Sequence, residues 1–123
     1  MNFEKLLKKL KALNLPRDEF VVVSSGSMAV RGIRDARDLD ILVTDKLWSS
    51  LSEKYPIKNE NGIDKIEVHS KDIEILGAGS IFRDSSIASL EEIFRSADIF
   101  DGIRYINLEL LKKFKQKWAG KKI

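Results

Sequence analysis

Residues Phe20 to Thr44 read F-V-V-V-S-S-G-S-M-A-V-R-G-I-R-D-A-R-D-L-D-I-L-V-T. The apolar run Phe20–Val23 predicts a buried strand, closed by the small-residue turn Ser24-Ser25-Gly26-Ser27. Ile41, Leu42 and Val43 predict a second strand, entered through Asp38 and Asp40. Side chains alternate along a strand, so these two aspartates share a face, roughly 7 Å apart. Carboxylates so placed repel each other unless a cation lies between them. Hard divalent cations prefer oxygen ligands of this kind.

Between the two strands, Ser27–Ile33 predicts a short helix. Free N–H groups and the helix dipole favour an anion at its start. Gly26 permits close backbone approach to a phosphate, and the Ser27 hydroxyl has the chemistry to donate to one. Arg31, Arg34 and Arg37 follow. Arginine grips phosphate bidentately, although Asp35 and Asp38 are equally available to them as ion-pair partners. The pattern as a whole suits a triphosphate held beside metal ions.

Working outward, Phe3, Leu6, Leu7, Leu10 and Leu13 recur at helical spacing behind Asn2 as cap, with lysines on the other face. Thr44-Asp45 caps a helix over Lys46–Lys54, with Leu47, Trp48 and Leu51 inward. Asn61-Gly62 predicts a hairpin turn between a weak strand at Tyr55–Lys58 and a better one at Lys65–His69. Asp72–Leu76 is a further strand, followed by a flexible small-residue loop, Gly77–Ser80. Ser89 opens a capping box for a short helix ending at Arg95. Asp101-Gly102 turns a hairpin between Ala97–Phe100 and Ile103–Ile106. Asn107 caps a last helix that ends at Gly120 and carries Lys112, Lys113, Lys115 and Lys117. The lone histidine, His69, reads as structural.

The chain has 123 residues, 43% apolar and 33% charged, enough for one domain over 1–123 with a real core. Without cysteine it has neither a disulfide framework nor a thiolate metal site. No apolar run approaches spanning length and no signal peptide is evident, so a cytoplasmic location is expected. A net charge of +3 is compatible with a polyanionic partner without requiring one. The expected fold is α/β in the α+β two-layer sense, a mixed sheet with helices mainly on one face.

Gly26-Ser27 after one strand and Asp38-Leu39-Asp40 on the next resemble the signature of the nucleotidyltransferase superfamily that includes DNA polymerase β, and most closely its minimal single-domain members. The resemblance covers roughly Phe20 to Trp118. It implies a nucleotidyltransferase fold and transfer of a nucleoside monophosphate, AMP from ATP, to a hydroxyl with release of pyrophosphate. Two Mg²⁺ ions, or Mn²⁺ in their place, are implied on Asp38, Asp40 and a third acid. The sequence offers Glu74 and Glu67 for that acid, and Asp72 less well; the resemblance favours Glu74. Gly26, Ser27, Arg31, Arg34 and Lys115 are the implied nucleotide-binding residues. The implied acceptor is a partner protein (as in toxin–antitoxin pairs), a small molecule or an RNA end, with no membrane involved. Two other readings stand beside it. One is an inactive member that binds nucleotide or a partner protein; the other is a small basic nucleic-acid binder, with lysine-faced helices at both ends.

Overall fold

The computed structural model describes residues 3–118. The proposed caps at Asn2 and Gly120 lie outside them. The strands are β1 (Phe20–Val23), β2 (Leu39–Val43), β3 (Lys58–Glu60), β4 (Ile63–Val68), β5 (Ile73–Leu76), β6 (Asp98–Phe100) and β7 (Ile103–Tyr105). The helices are α1 (Phe3–Ala12), α2 (Ser25–Ala29), α3 (Asp45–Lys54), α4 (Leu90–Arg95) and α5 (Leu108–Trp118). The seven strands form one mixed sheet in the order β3-β4-β5-β2-β1-β7-β6. β1 runs antiparallel to β2 and parallel to β7, while β2 and β5 are parallel.

The mixed α/β class follows the sequence pattern, but helical cover lies on both faces of the sheet rather than mainly on one. Phe20, Val22, Ile41, Val43, Ile73 and Ile75 pack with Leu6 and Leu10 of α1 and Leu47 and Leu51 of α3. Val21, Val23, Leu42 and Leu76 pack with Ile93 of α4 and with Leu110, Leu111 and Phe114 of α5. The central strands are apolar on both sides, so each side requires cover. Trp48 packs against the first core, as its helical spacing suggests.

Both hairpin turns form. Asn61 and Gly62 stand at φ 54° and 82°, and Asp101 and Gly102 at 52° and 75°. Two consecutive positive φ values are what a tight two-residue loop needs. Such a loop places its flanking residues in register, so Glu60 pairs with Ile63. The third strand therefore lies at Lys58–Glu60 rather than Tyr55–Lys58, and Tyr55 instead closes α3. By the same pairing β4 begins at Ile63. Its far end is turned by His69 and Ser70, both at positive φ, so exposed His69 is a turn residue.

Candidate active site

On the second face the strands change character along their length. β2 and β5 present buried Leu42 and Leu76 toward α5, but at their N-terminal ends the same face carries acids. Asp40 stands directly opposite Glu74, which in turn stands opposite Glu67 on β4. Asp38 leads into β2. Asp38, Asp40 and Glu74 line one cleft of about 240 Å³ with Ile63, Lys65, Leu76 and the segment Ser80–Phe82. Glu67 points to the same side but does not line the cleft. Lys58 Nζ lies 2.7 Å from its carboxylate and Lys71 Nζ 3.9 Å away. Between Glu74 and Glu67 as third acid, only Glu74 thus shares the cleft with both aspartates. Asp72 is engaged elsewhere, by Lys9 at 2.5 Å.

The electrostatics are uneven across the row. Burial, then the charges of Asp38 and Glu74, push the Asp40 carboxyl up to about 7, against an opposing pull from Lys65. Lys65 is only 18% exposed and stands 3.2 Å from both Glu74 and Glu60. Burial opposes its charge, yet the hydrogen bonds to Glu74 and Glu60 prevail and its pKa rises. Lys58 lowers the Glu67 pKa in the same manner.

A second cleft, about 670 Å³, adjoins the first through Asp38. Ser25, Arg34, Asp35, Ala36 and Arg37 complete its lining. Among the described residues, Arg34 and Arg37 have no carboxylate within ion-pairing distance. Lys115 of α5 is near enough to Arg34 that burial and then the guanidinium charge lower its pKa. It borders an apolar groove with Met28, Ile33, Leu108 and Leu111. The approach of two like charges is the arrangement an anion would relieve.

The Gly-Ser motif is placed differently from the expected turn. The helix begins at Ser25 and runs only to Ala29, so Gly26 and Ser27 lie in its first turn. The chain reverses instead at Ser24, with φ 60° and ψ −136°, a strained backbone for a residue with a side chain. A Cβ on Gly26 would lie 2.6 Å from Val22 Cγ1 and 2.9 Å from Leu39 Cδ2. The glycine thus lets α2 press onto β1 and β2. Ser27 is fully buried, and its hydroxyl donates to the Ile106 carbonyl at 2.8 Å. Arg31 donates to the Ser27 carbonyl and hydroxyl oxygens at 2.6 and 2.8 Å. It also pairs with Asp98 at 2.5 Å and covers the Phe100 ring at 5.3 Å. Arg31 therefore serves the β7–β6 side of the sheet, away from the acids on β2 and β5.

Two cleft residues escaped notice in the sequence. Ser25 was indistinguishable from its serine neighbours until the start of α2 was known. Lys65 was legible in principle, since alternation along β4 puts it on the face of Glu67. The loop after β5 borders the cleft at Ser80, and it is pinned rather than flexible. The Gly77 N–H donates to the Asp64 carbonyl at 2.7 Å, the Asp64 N–H donates to the Ala78 carbonyl at 2.9 Å, and a Cβ on Gly79 would meet the Gly62 carbonyl at 2.1 Å.

No family model, curated protein or solved structure matches the chain. No helix among the described residues is long and apolar enough to cross a membrane. The donor set itself is informative about a metal. Among the described residues no group of three or more His, Cys, Asp or Glu side chains is arranged to hold an ion. Asp38 and Asp40 alone suit a hard cation that completes its shell with water and phosphate oxygens, the usual habit of Mg²⁺.

Proposed function

We propose that the chain is a metal-dependent nucleotidyltransferase that binds a nucleoside triphosphate, ATP by resemblance, across the two adjoining clefts. The observation that carries this reading is the position of Asp38. It borders both the acidic cleft of Asp40 and Glu74 and the cationic cleft of Ser25, Arg34 and Arg37. A triphosphate needs that pairing: cations along its oxygens and carboxylates for the divalent ion that travels with it.

In this reading Asp38 and Asp40 hold Mg²⁺, which when bound offsets charge on the phosphoryl group. Arg34, Arg37 and Lys115 neutralise the phosphates beyond it, and Ser25 offers a hydroxyl at the cleft wall. An acceptor hydroxyl oxygen bonds to the α-phosphorus, the bond to the bridging oxygen breaks, and pyrophosphate leaves. The acceptor proton passes to a carboxylate of the cleft, with Glu74 the one facing Asp40 from the neighbouring strand. The acceptor class is a partner protein, a small molecule or an RNA end.

A second reading is nucleotide binding without transfer. The pairing of Glu74 with Lys65 favours it, because that acid is neutralised within the fold. Calorimetric titration of ATP with and without Mg²⁺ tests the site that both readings share. Mg²⁺-dependent binding that vanishes in Asp38→Asn/Asp40→Asn is expected. Binding indifferent to Mg²⁺ and to the double substitution would exclude the site. Pyrophosphate release then separates transfer from binding alone.

A further inference from the structure

Three acids stand in one row across β4, β5 and β2: Glu67, Glu74 and Asp40. Glu67 has Lys58 at 2.7 Å, and Glu74 has Lys65 at 3.2 Å. Among the described residues Asp40, flanked by Asp38, has no ammonium or guanidinium at ion-pair distance. Lys65 is also the one basic side chain among the described residues lining the acidic cleft. It is fixed from two sides, by Glu74 and by Glu60, each at 3.2 Å, and its side chain is mostly buried. An ammonium held this way occupies lone pairs a metal would otherwise use, and it repels a divalent ion nearby.

We propose that Lys65 is a tethered cation filling the Glu74 side of the cleft, so that the protein takes one divalent ion, on Asp38 and Asp40, in place of two. The inference rests on the reading of Asp38 and Asp40 as a cation site. Lys65 then supplies fixed positive charge where a second ion would stand. A lysine suits this role because it is a compact point charge on a flexible stem. It also becomes a determinant of metal stoichiometry that differs from the two-ion, three-acid expectation.

The test is a Mn²⁺ titration of the protein without nucleotide, following the free-ion signal by electron paramagnetic resonance. Wild type should bind a single ion. Lys65→Met should bind a second ion, or bind the first at least about tenfold tighter, because a nearby like charge is removed. Lys65→Arg keeps the charge and should behave as wild type. Two ions on the wild type would overturn the proposal. So would a Lys65→Met variant whose ion count and affinity are unchanged. Circular dichroism checks folding, and Lys65→Gln repeats the test if the Met variant does not fold. ATP titration separates the two claims. Intact Mg²⁺-dependent ATP binding with unchanged Mn²⁺ behaviour in Lys65→Met sinks the tethered cation alone. A gained ion without ATP binding sinks the nucleotide site alone.

Discussion

Asp40 and Glu74 face each other across the parallel pair β2–β5, in direct register on the side that α5 covers. Acids in such a position destabilise the fold unless something neutralises them. Lys65 does so for Glu74, while Asp40 remains with a pKa near 7.

The sign of that shift predicts an unusual pH dependence of stability. An unfolded aspartate ionises near 3.8 and Asp40 near 7. Between those values the folded state binds more protons than the unfolded state. The Asp40 contribution therefore falls as pH rises through this window, the reverse of a salt-bridged aspartate. Urea denaturation of the metal-free protein at about pH 5 and about pH 8 measures it. Asp40→Asn should be more stable than wild type near neutrality, and the gap should shrink toward pH 5. A constant gap would contradict the assigned burial of the charge.

Ser27 and Ser25 should separate stability from ligand binding. Ser27→Ala removes a buried hydroxyl that donates to Ile106 and accepts from Arg31. A loss of about 1–3 kcal/mol is expected on denaturant melts, because both partners are left short of a bond. Ser25→Ala should leave stability within about 0.5 kcal/mol while weakening ATP binding.

Gly26→Ala places a methyl within 2.6 Å of Val22 and 2.9 Å of Leu39. Overpacking of this kind costs about 1–3 kcal/mol. Ser24→Gly, two residues before it, should act the other way, by about 1 kcal/mol, since it relieves the backbone at φ 60°. Thermal unfolding of both variants, scored as opposite shifts in Tm, is the check.

Arg34, Arg37 and Lys115 should act as anion-binding charges with little structural duty. Alanine at any of them should weaken ATP binding and flatten its salt dependence, with stability unchanged within about 0.5 kcal/mol. Arg31→Ala should destabilise the fold instead, because it breaks the links to Ser27, Asp98 and Phe100. Equal losses of affinity and of stability at Arg34 would argue against an anion-facing role.

Much of this was legible in the chain because the signals were local. Asn61-Gly62 and Asp101-Gly102 demand positive φ, and the two hairpins formed where those dipeptides lie. The shared face of Asp38 and Asp40 follows from strand alternation, while Glu74 joins them through the parallel β2–β5 pairing, which only the structure shows. What escaped was set by tertiary contact. The start of α2 depends on Gly26 fitting between Val22 and Leu39, which moves the helix start back two residues, from Ser27 to Ser25. Arg31, expected at the nucleotide, is drawn to Asp98 and Phe100 on a hairpin about seventy residues away in sequence. Lys65 was on the expected face, but its tie to Glu74 required knowing that β4 pairs with β5.

The most direct test of the central claim uses Mn²⁺·ATP as a paramagnetic probe in amide NMR spectra, with Mg²⁺·ATP as the diamagnetic reference. Selective loss of the amide signals of Asp38, Leu39 and Asp40, followed by those of Ser25, Gly26 and Glu74, is expected, with no such loss in Asp38→Asn/Asp40→Asn. Signal loss centred elsewhere, or one that survives the double substitution, would contradict the claim.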